Sequence, residues 1–142
     1  MNKKERVLAA INGDKVDRLP ASFSIHFADD EKYGEKAVEA HLRFFEETDI
    51  DIIKIMNENL VSSIYDIERV DDWKQVKKLS IKDEFITRQL DLVKTILDNF
   101  HGEAFSVGTL HGSVASVLHI IEARYGYQKG REIITNHMRE DK

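Results

Sequence analysis

The chain contains no cysteine. That excludes disulfides and thiolate metal sites built from its own residues, and it suits a reducing cytoplasm. It has a single proline, Pro20, so only one position is denied a backbone donor in this way. No stretch approaches the ~20 apolar residues of a membrane span. The N-terminal run MNKKERVLAAINGDK is too short and too interrupted in its apolar part to be a signal peptide. No long basic run appears among 21 Lys and Arg and 26 Asp and Glu, and the formal net charge is −5. Nucleic-acid binding therefore has no electrostatic footprint. These absences predict a soluble cytoplasmic protein that engages neither nucleic acid nor membrane.

What is present is a composition able to build a core: 42% apolar and 33% charged residues over 142 positions. The spacing predicts a first helix over 3–11, with Val7, Leu8 and Ile11 on one face and Gly13 where a C-cap glycine belongs. Pro20 biases Leu19 toward an extended conformation. Residues 21–27, ASFSIHF, alternate small or polar side chains with large apolar ones and read as a strand. A polar loop over 28–34 leads into a helix over 35–47, with Val38, Leu42 and Phe45 along one side. The run IDIIKIM over 50–56 is the clearest strand, its β-branched residues nearly continuous as in a parallel sheet covered on both faces.

A less regular stretch containing Trp73 runs to Leu79. Over 81–100 the residues Phe85, Ile86, Gln89, Leu90, Val93, Ile96, Leu97 and Phe100 keep helical spacing, with Gln89 as the one polar member. His101 and Gly102 stop that helix, and 104–108 reads as a short third strand. Helices follow from Gly112-Ser113 to about Ala123, with Ser113 as N-cap, and over 129–139. Strands alternating with helices predict an α/β fold with about three main parallel strands. Pattern alone leaves two architectures open, a small doubly wound sheet and part of a barrel. A complete (β/α)8 barrel needs eight strands and about 250 residues.

The opening segment weighs on that choice. Lys4-Glu5-Arg6-Val7-Leu8-Ala9-Ala10-Ile11-Asn12-Gly13, followed by Val16-Asp17-Arg18-Leu19-Pro20, resembles the start of the uroporphyrinogen decarboxylase superfamily, which opens with a helix, a glycine and an Asp-Arg-x-Pro turn. Residues 48–56 are similar to that family's second strand, and residues 70–79 to its acidic-aromatic segment. Val107-Gly108 through Gly112-Ser113-Val114-Ala115-Ser116 resembles its strand–glycine–helix unit. The likeness runs in order through essentially the whole chain. It implies the N-terminal part of a (β/α)8 TIM barrel, with 1–142 as a single partial domain truncated at its C-terminus.

The superfamily holds uroporphyrinogen decarboxylases and corrinoid-dependent methyltransferases that act on coenzyme M. The resemblance thus implies a tetrapyrrole or corrinoid-linked substrate. Ile25, His26 and Asp29 stand where the decarboxylases carry Arg, Gln and Arg, so both carboxylate-binding arginines are replaced. Glu58 stands where the family's pyrrole-facing aspartate falls. No cofactor is implied within this chain. Zinc and a corrinoid belong to full-length methyltransferase relatives, whose zinc ligands lie in the second half of the barrel.

Active sites of such barrels gather at strand C-termini. Polar residues stand at three expected strand ends: His26, then Asn57 and Glu58, then His111 beside Gly112. Glu58 suits a general acid/base or the holder of an N–H-bearing ligand, against the plainer role of a solvated loop carboxylate. His26 suits a titrating or metal-binding group, against a structural histidine bonded to a loop. His111 is either a ligand contact or a turn residue. The glycines from Gly108 to Gly112 permit close approach of a ligand to the backbone, and no Gly-Lys-Ser/Thr phosphate loop follows.

Lys54 shares a strand face with Ile52 and Met56. It either points into a barrel, where burial would change its titration, or snorkels to the rim. Glu58 and His26 are therefore the expected catalytic residues, with Asn57, Lys54, His111 and Gly112 as substrate contacts. A competing reading is a non-catalytic half-barrel. Three strands leave edges and an apolar face uncovered, which predicts a homodimer or pairing with the missing half.

Overall fold

In a computed structural model of the protein, residues 1–100, 102 and 104–140 are described. The chain divides into two compact units, Met1–Glu58 with Arg88–Thr109 and Asn59–Thr87 with Leu110–Lys142. No helix among the described residues is long and apolar enough to cross a membrane.

The first unit opens with α1, Lys3–Asn12. The Asn2 side chain accepts from the Glu5 N–H and the Glu5 carboxylate reaches back to the Asn2 N–H, a capping box that satisfies two orphan donors. Gly13 ends the helix at φ 77°, and the N–H groups of Gly13 and Asp14 return to the Ala10 and Ala9 carbonyls. Glycine fits there because the left-handed region carries no Cβ penalty for it. Val7 is buried as expected, whereas Leu8 and Ile11 are exposed.

Helix α2 spans Gly34–Thr48, and β1 spans Ile52–Ile55. Helix α3 covers Glu84–Phe100, and β2 spans Phe105–Gly108. The strands pair in parallel, Ile52 opposite Phe105 and Ile55 opposite Gly108. The result is a mixed helix–strand fold with a β1–α3–β2 unit. Ile53 and Ile55 point into a core formed with Ala37 and Phe45 of α2 and with Leu92, Ile96 and Phe100 of α3. Each buried Ile, Leu or Phe side chain is worth about 1.5–3 kcal/mol. Alternation then places Ile52, Lys54, Phe105 and Val107 on the face turned away from that core.

Two strands, not three, are present among the described residues. The segment expected as a strand over 21–27 lies beside β1 without forming a ladder. The Ala21 carbonyl accepts from the N–H groups of Asp51 and Ile52, and the Ser22 hydroxyl donates to the Ile52 carbonyl. Phe23, on the apolar side of the alternation, is 59% exposed. Without a continued ladder and a surface to pack on, alternation does not make a strand.

The long helix starts at Glu84 rather than residue 81, and its buried line is Leu92, Ile96 and Phe100, with Leu90 and Leu97 exposed. Gly102, at φ 78°, follows it, and His101, expected to share in stopping it, lies outside the described residues.

In the second unit a 3-10 turn covers Val70–Gln75, and α4 and α5 span Ser113–Tyr125 and Tyr127–Glu140. The N-cap of α4 is Gly112 rather than Ser113, and no side chain caps it. Ile67 and Ile121 are fully buried, and Gly130 brings α5 close to α4.

Candidate functional site

The C-terminal end of β1 runs straight into the expected site. Met56 and Glu58 are buried, and Asn57 between them is half-buried. A charged carboxylate that has lost its water needs a donor. His26 supplies it: its Nδ1 lies 2.7 Å from Glu58 Oε1, across 32 positions of sequence. The two side chains differ sharply in exposure, 69% for His26 and 5% for Glu58. A carboxylate can only accept, so Nδ1 is the protonated nitrogen. In the neutral ring the lone pair is then on Nε2, at the exposed end of the side chain.

This arrangement has one chemical consequence. The buried carboxylate fixes the tautomer and orientation of an exposed imidazole, and it stabilises the imidazolium once a proton arrives at Nε2. The pair is suited to taking a proton from a bound molecule and returning it.

Surrounding residues hold Glu58 in place. The Tyr33 hydroxyl donates to the Glu58 carbonyl at 3.1 Å. Lys32 is paired with Asp29, which holds its ammonium above the usual range, and the charge of Glu58 adds to that effect. His41 on α2 locks the preceding residue. Its Nδ1 lies 2.6 Å from the Ala37 carbonyl, and its Nε2 lies 3.0 Å from the Met56 amide nitrogen. A carbonyl only accepts and an amide N–H only donates, so His41 is neutral with its proton on Nδ1. Burial lowers its affinity for a second proton, against the opposing effects of the Ala37 carbonyl and Glu58. The Met56 carbonyl accepts from the Gln89 side chain at 3.1 Å, which accounts for the polar member of the α3 pattern.

Thr109 stands one position beyond β2, its N–H bonded to the Ile55 carbonyl at 3.1 Å. Its hydroxyl is buried with no hydrogen-bond partner among the described residues. Parallel pairing therefore sets Thr109 next to Met56, at the same edge of the sheet as Glu58.

Of the residues expected from sequence, His26 and Glu58 are brought into direct contact. Lys54 lies on the face turned from the core, and its ammonium donates to the Ser24 hydroxyl at 2.6 Å. His111 and Gly112 belong to the second unit, where the His111 ring meets that of His119 edge-on at 5.0 Å. A Cβ added at Gly108 or Gly112 would meet nothing within 4 Å. Tyr33, His41 and Thr109 were not expected. His41 had a signal, a lone histidine four residues before the core residue Phe45, whereas Tyr33 and Thr109 stand in segments without periodicity.

No three His, Cys, Asp or Glu side chains among the described residues gather into a set able to hold a metal. The chain matches no family model, no curated protein and no solved structure.

Proposed function

We propose that this chain forms the N-terminal part of a uroporphyrinogen decarboxylase-like (β/α)8 barrel enzyme, and that His26 and Glu58 are its acid–base pair. The substrate is a tetrapyrrole or a corrinoid-linked molecule. The observation that carries this reading is the 2.7 Å contact between exposed His26 and buried Glu58 at the C-terminal end of β1. That is the end at which barrel enzymes place their chemistry. The uncommitted hydroxyl of Thr109 at the neighbouring strand end adds a donor and acceptor for a bound molecule.

The sheet face turned from the helices supports the barrel. It carries Ile52, Phe105 and Val107, with Val107 42% exposed, as an interior face would before further strands close over it. The ordered likeness of residues 4–116 to the superfamily gives the substrate class. With both carboxylate-binding arginines replaced, uroporphyrinogen itself fits the residues present poorly, and a corrinoid-linked methyl group is the alternative substrate. The chemistry assigned to this chain's own residues is proton transfer at His26 Nε2.

Titration with methylcobalamin and, separately, with uroporphyrin, followed by visible absorbance, tests this. Saturable binding of one macrocycle is expected. His26→Ala and Glu58→Gln should weaken it at least about tenfold, equivalent to ~1.4 kcal/mol. A folded protein that binds neither macrocycle, or binds one with no response to either substitution, would count against the reading.

A second reading is favoured by one feature. The outer edge of β2 carries no further strand among the described residues. An open edge beside a half-exposed apolar face is a pairing surface, which fits a half-barrel that dimerises or joins a complementary segment.

A further inference from the structure

The second unit holds a buried histidine that the site above does not use. Trp73, the only tryptophan, donates its indole Nε1–H to His137 Nδ1 at 3.1 Å. The two rings cross edge-on with centroids 6.3 Å apart. The other ring nitrogen, Nε2, lies 3.1 Å from the Glu68 carbonyl oxygen. His137 is only 8% exposed.

These partners dictate the protonation state. An indole N–H can only donate, so Nδ1 must keep its lone pair. A carbonyl can only accept, so the proton sits on Nε2. The ring in this arrangement is neutral. An imidazolium, a donor at both nitrogens, would set N–H against N–H at Trp73.

A partner for the protonated form is close by. Asp72 accepts from the Arg69 and Glu68 N–H groups at 2.8 and 3.0 Å. These bonds hold its carboxyl below the usual range, the Arg69 N–H first, and attraction to His137 contributes in the same direction. The other residues lining the adjoining cleft of about 430 Å³ are Val70, Ser113, Val114, Val117, Ile134 and Met138, and none of them titrates. Asp72 lies in the same turn as Trp73, beside the charged Asp71 and Lys74, and its charge acts on His137.

We propose that the Trp73–His137 pair is an acid-released latch. At neutral pH it pins the indole to α5 as one wall of the cleft. On protonation of His137 the Trp73 bond is lost, the cation is drawn to Asp72, and the wall is freed. The sign follows from the neutral form being the bonded one. The latch holds while the ring is neutral and opens when it takes a second proton.

The single indole N–H resonance of the full chain reports this directly. From pH 8 to pH 5 it should move upfield and exchange faster with water, and Trp73 fluorescence should become more accessible to acrylamide. All three changes should share the midpoint of the His137 ring. His137→Gln keeps an acceptor for the indole but cannot titrate, so its indole signal should stay constant. Asp72→Asn keeps an oxygen for the two backbone donors but loses the charge, so its midpoint should move to lower pH. An unchanged wild-type resonance, or the same titration in His137→Gln, would overturn the latch. If His137→Gln does not fold, different midpoints for the indole and the His137 ring in the wild type would overturn it equally.

Discussion

Asp51 has no exposed surface, yet it accepts hydrogen bonds from three donors. Arg6 reaches Oδ1 at 2.6 Å, while Arg18 and the Ala21 N–H bond to Oδ2. Arg6 also grips Asp17 through Nε and a second guanidinium nitrogen, at 2.7 and 2.9 Å. This network ties α1 and the Asp17-Arg18 turn to the start of β1, and so places the segment that carries His26. Burial pushes the Asp51 carboxyl up, but the Ala21 N–H and the guanidiniums of Arg18 and Arg6 outweigh it and hold the group below the usual carboxylate range.

A depressed carboxyl contributes stability that is complete above its unfolded value, about 3.9, and is lost as pH falls through the folded one. Asp51→Asn should therefore cost about 3 kcal/mol at pH 7, because it removes the buried charge that Arg6 and Arg18 share and leaves Arg6 with Asp17 alone. Its stability should also fall less steeply than that of the wild type below about pH 4. Urea unfolding followed by circular dichroism at a series of pH values measures both effects.

Among the elements, α4 and α5 depend on the absence of a side chain. A Cβ added at Gly130 would lie 3.3 Å from the Glu122 amide nitrogen, 3.2 Å from its Cγ and 3.3 Å from Ile121 Cγ2. The helical backbone of α4 cannot give way as a flexible side chain can. Gly130→Ala gains up to about 1 kcal/mol of helix propensity, but overpacking costs about 1–3 kcal/mol. A net loss of about 1 kcal/mol is expected, readable as a lower Tm.

Elements with a local signature were legible in the sequence. α1 announced itself by its apolar spacing and Gly13, and β1 by a β-branched run. The segment 21–27 was misread because alternation records which residues are apolar, not whether a neighbouring strand exists to bond with. The place of Glu58 just beyond β1 was legible. Its contact with His26 was not, since a pairing across 32 positions is set by the fold and leaves no spacing rule.

Within the first unit, helices cover one face of a short parallel sheet, Glu58 and Thr109 follow its two strand ends, and His26 reaches Glu58 from a segment that forms no strand. Tyr33 and His41 hold the strand end by backbone bonds alone, which leaves the outer nitrogen of His26 for chemistry. The proposed function stands or falls on that nitrogen. Nitrogen-15 NMR of the histidine side chains, recorded above the range in which histidine titrates and then with methylcobalamin or uroporphyrin added, examines it directly. The expected result is a neutral His26 with its proton on Nδ1 and an unprotonated Nε2 that shifts when one of the macrocycles binds. A His26 protonated on Nε2, or one whose resonances ignore a macrocycle that demonstrably binds, would contradict the assignment.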